Sequence, residues 1–191
     1  MAVTNVLIAG VGGQGAVLAS ELMALAAIAA GHDVKQGEFH GVAQRGGSVF
    51  SHVRFGDHVY SPMAPLGSVD YLVALEKLEA LRYAHFVKPG GTMLVNDYEV
   101  APLRIGDARP YPSNAIEFLQ RKGFAVQVVD ATQKAMELGN HKAANVLLLG
   151  ALAAQLDIPI EVWDGTLERR IPPQLLTLNR QAFAAGRASS D

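Results

Sequence analysis

Two glycine-rich stretches carry most of the groups in this chain that could do chemistry. The first, Gly10-Val11-Gly12-Gly13-Gln14-Gly15, has the Gly-x-Gly-x-x-Gly spacing of a dinucleotide fingerprint and sits between an apolar run and a helical one. Backbone N–H groups left bare by glycine at the start of a helix can receive a phosphate or a carboxylate. A dinucleotide site also expects an acidic residue about 20 positions further on, where it would hold a ribose. Lys35-Gln36-Gly37 stands there instead, with Asp33 too early and Glu38 late. Residues Gly10, Gly12, Gly13, Gln14 and Gly15 therefore read in two ways. They form an anion or phosphate loop, or they are a structural turn that lets a strand run tightly into a close-packed helix. A free-standing nucleotide-binding oxidoreductase is the alternative that the first way allows.

The second stretch is His40-Gly41-Val42-Ala43-Gln44-Arg45-Gly46-Gly47-Ser48. Arg45 offers a planar fork of donors. Gly46 and Gly47 leave their N–H groups reachable, and Gln44 and Ser48 add polar side chains. Together they could receive a carboxylate, a phosphate or the backbone of a neighbouring chain; a tight turn with Arg45 in solvent is the plainer account. His40 could act as an acid or a base, a part imidazoles commonly play. Arg45, His40 and Glu38 are the candidates for a catalytic part, with a hydrogen-bonded loop role as the other reading of His40. Glu76, just after a predicted strand, either faces the crevice or complements a helix N-terminus. Trp163 reads as packing and His85 as a half-buried surface residue.

Other chemistries are excluded by composition. There is no cysteine, which removes disulfides, thiolate nucleophiles and all-cysteine iron–sulfur or zinc sites. No His, Asp and Glu set has zinc-ligand spacing, so no metal site is expected, and no Gly-x-Ser-x-Gly elbow is present. With 16 basic and 18 acidic side chains in 191 residues, no basic footprint for nucleic acid appears. No apolar run reaches the roughly 20 residues of a membrane span, and no targeting signal is read at the start, so the expectation is a cytoplasmic protein.

These stretches need elements to hold them. Residues 5–9 predict a short strand, and residues 16–30 a helix with Leu18, Leu22 and Leu25 at helical spacing, stopped by Gly31. Residues 33–36 predict a second strand and 37–47 a loop. Residues 48–55 alternate imperfectly, with Val49, Val53 and Phe55 against Ser48, Ser51, His52 and Arg54. Gly56-Asp57-His58 then reads as a turn and Val59-Tyr60-Ser61 as an antiparallel return. Further strands are predicted at 71–75, 92–95 and 125–129, with Pro89-Gly90-Gly91 as a turn. Helices are predicted at 78–86, 114–122 behind a Ser113 cap, 143–156, 162–169 and 174–185. This alternation describes an α/β, Rossmann-like fold: a mainly parallel open sheet, helices on both faces and an inserted β-hairpin. One domain is expected over residues 1–186, with a frayed tail at 187–191. The second stretch would lie near the C-terminal ends of the parallel strands, where open α/β sheets bind ligands.

The two stretches, in this order, also carry a resemblance. Gly10-x-Gly12-Gly13-Gln14-Gly15 followed by Glu38-x-His40-Gly41-x-x-Gln44-Arg45-Gly46-Gly47-x-Val49-x-Ser51-x-Val53-Arg54 resembles the gamma-type subunits of 2-oxoacid:ferredoxin oxidoreductases, and within them the indolepyruvate type. Tyr60-Ser61-Pro62, Leu75-Glu76-x-Leu78-Glu79-Ala80-Leu81-Arg82, Lys88-Pro89-Gly90-Gly91, Gly139-Asn140 with Asn145-Val146, and Leu149-Gly150 extend the similarity along the chain. The resemblance implies a subunit of an enzyme that oxidatively decarboxylates a 2-oxoacid, passes the acyl group to coenzyme A as co-substrate and reduces ferredoxin. Thiamine diphosphate, magnesium and the iron–sulfur clusters would belong to a large partner chain, and the isolated subunit would be inactive. It also implies that the loop around residues 38–48 docks on that partner near the thiamine site or the coenzyme A path. There Gln44, Arg45, Gly46, Gly47 and Ser48 would bind an anionic group or lock the interface.

Overall fold

The structure is a computed structural model that describes residues 3–41, 46–100, 111–112 and 114–189. Gln44, Arg45 and the Ser113 cap lie outside the described residues. Six strands form one sheet in the order β2-β3-β1-β4-β5-β6, where β1 is Thr4–Val11, β2 Asp33–His40, β3 Ser48–Gly56, β4 Val69–Ala74, β5 Val87–Asn96 and β6 Ala125–Val129. The pairs β1–β4, β4–β5 and β5–β6 are parallel; β3 runs antiparallel to both of its neighbours.

Alternation along the central strands divides the apolar side chains between the two faces, as strand geometry requires. Val6, Ile8, Val73 and Leu94 point into one core; Leu7, Ala9, Leu72, Ala74, Met93 and Val95 point into the other. The first core is covered by α1 (Ala16–Ala29), α5 (Ala144–Ala153) and α7 (Pro173–Arg187), the second by α2 (Lys77–Tyr83) and α3 (Ala115–Arg121). The expected fold class is thus observed, with helices on both faces. Every residue of α5 is buried, which fits a helix apolar on all sides. Its partner α7 lies so close that a Cβ on Gly150 would stand 2.1 Å from the Phe183 carbonyl oxygen, and one on Gly186 1.8 Å from that of Leu147. Among the described residues no helix is long and apolar enough to cross a membrane.

Several local expectations are corrected. The β-hairpin exists, but β2 and β3 form it, with Asp33 opposite Gly56 and His40 opposite Val49. Residues 37–40 are therefore strand rather than loop. Val59-Tyr60-Ser61 is not a return strand, because the β3 edge it would need is already paired with β1 and β2. Its backbone is held by side chains instead: the Val59 N–H donates to Asp33 Oδ2 at 2.8 Å, and Arg54 Nη1 donates to the Ser61 and Met63 carbonyls at 2.8 and 3.0 Å. Pro89-Gly90-Gly91 falls inside β5, where the pairing with β4 shifts register. Two helices complete the chain: α4 (Ala131–Glu137), for which no element is predicted from sequence, and α6 (Ile160–Arg170).

Candidate functional site

The glycine turn lies where expected, between β1 and α1, and its backbone is already engaged. Gly12 N–H donates to the Gly47 carbonyl at 2.8 Å, and Gly46 N–H donates to the Gly12 carbonyl at 3.4 Å. These two bonds continue the β1–β3 ladder, whose last register pair is Val11 with Ser48. The side chain of Gln14 folds back over the turn: its Oε1 accepts from Val11 N–H at 2.8 Å and its Nε2 donates to the Leu75 carbonyl at 3.2 Å. Gly15 has a φ of +82°, and a Cβ there would stand 2.4 Å from Asn145 Nδ2, so only glycine fits. Asn145 Nδ2 in turn donates to the Gly15 carbonyl at 3.1 Å. Three amides of the turn, those of Val11, Gly12 and Gln14, the last donating to the Val11 carbonyl at 3.0 Å, are thus committed within the chain. Beside it opens a cleft of about 360 Å³ lined by Gly12, Gly13, Ala16, His40 and Val49 among others.

The structure therefore brings the two sequence stretches together. Gly10, Gly12, Gly13, Gln14 and Gly15 meet Gly46, Gly47 and Ser48 at one end of the sheet. His40 is exposed at the end of β2 and lines the same cleft, and among the described residues its ring bonds the neighbouring Gly41 carbonyl, at 3.2 Å. Glu38 is exposed on β2 and takes a 3.3 Å bond from Gln36; no described contact joins it to His40. The candidates Gln44 and Arg45 belong to the same stretch, outside the described residues.

Ser48 opens β3 and is tied to α2. Its hydroxyl donates to Glu79 Oε2 and takes a bond from the Tyr83 hydroxyl at 2.8 Å. Glu79 is 3% exposed, and its other oxygen receives Arg82 Nε at 3.1 Å. Burial, the largest influence, pushes the Tyr83 phenol above its ordinary value. Glu76, 1% exposed, caps α2: its Oε2 accepts from Glu79 N–H at 3.0 Å. Its Oε1 accepts from Val100 N–H at 3.1 Å and from the Tyr111 hydroxyl. Glu76 thus does more than complement a helix end; it ties three backbone segments together. Burial, then the Glu76 carboxylate, drives the Tyr111 phenol far upward, so it stays a donor.

Sequence reasoning missed three residues here. Glu79 gave no signal beyond its place within the quoted similarity. Asn96, 1% exposed at the end of β5, uses its whole carboxamide: it accepts from Ala131 and Thr132 N–H and donates to the Leu75 carbonyl and Thr132 Oγ1. His52 is fully buried among Phe39, Phe50 and Phe86, and neither ring nitrogen has a partner among the described residues. Trp163 is buried against Phe183, as the packing reading expects; His85 is exposed rather than half-buried.

No three His, Asp or Glu side chains among the described residues are grouped to hold a metal. With no cysteine anywhere in the sequence, the donor set does not fit an iron–sulfur cluster of the all-cysteine kind.

Comparison with known proteins follows the same lines. Residues 5–189 match the profile of the family described as pyruvate ferredoxin/flavodoxin oxidoreductase. The indolepyruvate oxidoreductase subunit IorB of Pyrococcus horikoshii is 38% identical over 188 residues, covering 95% of this chain and 93% of the relative. The IorB subunit of Thermococcus kodakarensis is 37% identical over 188 residues, with the same coverage of 95% and 93%. Among solved structures, the keto/oxoacid ferredoxin oxidoreductase gamma subunit of Geobacter sulfurreducens superposes with a TM-score of 0.75 at 27% identity, covering 98% of each chain.

Proposed function

The chain belongs to the pyruvate ferredoxin/flavodoxin oxidoreductase family, and from that membership we propose that it is the small, gamma-type subunit of a 2-oxoacid:ferredoxin oxidoreductase of the indolepyruvate type. The observation that carries this reading is similarity at 37–38% identity, over nearly the full length of both chains, to subunits named for indolepyruvate oxidoreductase. The enzyme oxidatively decarboxylates the 2-oxoacid, passes the acyl group to coenzyme A and hands the electrons to ferredoxin. Thiamine diphosphate, magnesium and iron–sulfur clusters reside on a large partner subunit, and the hard chemistry is theirs. The lack of cysteine here supports that division of labour.

This chain contributes a docking end. Residues 38–48 meet the partner, with the 10–15 turn bonded to Gly46 and Gly47, and Arg45 supplies a fork of donors to an anionic group there. Glu38 and His40 belong to that stretch as exposed polar groups. Bonds from Val11, Gly12 and Gln14 leave the glycine turn fewer free donors than a dinucleotide loop offers, which disfavours a free-standing nucleotide-binding enzyme. The complex works in the cytoplasm. Pull-down of the tagged chain from its host tests this reading: a thiamine- and iron–sulfur-containing subunit should accompany it. Arg45→Ala should lower the recovery or the turnover of that complex by about tenfold or more, the order of an interface hot spot. Tight binding of NAD(P)H or FAD by the isolated chain, with no such partner recovered, would reject it.

A further inference from the structure

Residues 46–48 are held from two sides at once. On one side stands the Gly12 backbone, whose N–H and carbonyl bond Gly47 and Gly46. On the other stands α2, through the Ser48 hydroxyl. Behind Ser48, Glu79 and Tyr83 are buried and hydrogen-bonded, and Arg82 reaches Glu79 from the surface. Glu79 is 3% exposed and Tyr83 8% exposed, and Ser48 takes the Tyr83 hydroxyl on its oxygen while giving its own proton to Glu79. A carboxylate this deep persists only where donors surround it. Glu79 has Ser48 on one oxygen and Arg82 on the other, and its own backbone N–H is fixed by Glu76. A Ser hydroxyl needs no buried acid to begin a strand, so this arrangement spends a costly group on fixing one short backbone stretch.

Resting on the proposed function, we infer that Glu79 is a positioning residue: through Ser48 it fixes residues 46–48 against the Gly12 backbone, so that the docking end meets the partner subunit already ordered. Ordering a segment before association lowers the entropic cost of binding. Glu79 itself touches no partner and takes no proton from the substrate; it acts through Ser48 alone. The glycine fingerprint acquires a role in the same arrangement. Gly12 is a backbone latch for the second stretch, and Gln14 braces the turn through the Val11 amide and the Leu75 carbonyl.

The test uses the full chain with its thiamine-bearing partner and the variants Glu79→Ala, Glu79→Gln and Ser48→Ala. In the free chain, Glu79→Ala should speed amide exchange over residues 46–49 by about tenfold, the factor that one lost charge-assisted hydrogen bond corresponds to. Exchange over β4 should stay as it is. In the complex, the partner concentration giving half-maximal turnover should rise by a similar factor, with turnover at saturation changing far less. Glu79→Gln keeps an acceptor for Ser48 and should recover most of both effects, whereas Ser48→Ala should reproduce Glu79→Ala. Should Glu79→Ala misfold, Ser48→Ala carries the same readings without emptying the carboxylate site. Unchanged exchange at 46–49, or equal loss of protection over β4, overturns the inference while leaving the proposed function standing. Failure of the unaltered chain to bind or activate the partner overturns the proposed function and the inference together.

Discussion

His52 is a basic side chain whose ring nitrogens have no partner among the described residues. It is fully buried on β3, ringed by Phe39, Phe50 and Phe86. Burial, with a smaller contribution from the Arg54 charge, pushes its pKa down from 6.5 to about 4. The folded chain therefore keeps the ring neutral while the unfolded chain takes up a proton below pH 6.5. Its contribution to stability is complete above about pH 6.5 and is lost as the pH falls toward 4, by up to about 3 kcal/mol. Urea unfolding at about pH 7.5, 6 and 5 should show this loss, and His52→Leu should remove that part of the slope; an identical slope in the variant would contradict the account. From sequence, Ser51 and His52 read as the polar side of a half-exposed strand. They are buried because β3 is interior to the sheet and covered on both faces, a fact of strand order that no local pattern carries. The two glycine stretches were legible as residues, since Gly12, Gly46 and Gly47 sit in recognisable spacings. That they bond one another was not, because the contact joins residues far apart in the chain.

Helices tell a similar story at the next scale. The periods of α1, α5, α6 and α7 were readable because each carries its own apolar spacing, and the ends differ from expectation by only a few residues. The short α4 has just Ala131, Thr132 and Ala135 buried, too little to set a period. The β2–β3 hairpin escaped because residues 37–40 look like loop until β3 lies beside them. Packing between α5 and α7, set against the open side of α6, yields a prediction with opposite signs at two glycines. Gly150→Ala would push a methyl carbon to 2.1 Å from the Phe183 carbonyl oxygen, a backbone atom with nowhere to go. That substitution should cost more than about 2 kcal/mol through overpacking. At Gly165, inside α6, an added methyl would meet nothing within 4 Å. Gly165→Ala should therefore stabilise by about 0.5–1 kcal/mol, since alanine is the better helix former. Thermal unfolding of the two variants checks both signs, and a stabilised Gly150→Ala would refute the close approach of α5 and α7.

At the scale of the whole molecule, the two faces of the sheet are closed by helices, and the two glycine stretches gather at one end. There the glycine turn, the start of β3 and the end of β2 come together. A chain of this family, similar along nearly its whole length to subunits of 2-oxoacid oxidoreductases, has its place in a larger enzyme. The most direct test is turnover of the proposed thiamine-bearing partner with a 2-oxoacid, coenzyme A and ferredoxin, measured with and without this chain. The account predicts that neither component alone sustains ferredoxin reduction and that mixing them restores it. Turnover by this chain alone, or undiminished turnover by the partner without it, would contradict the account.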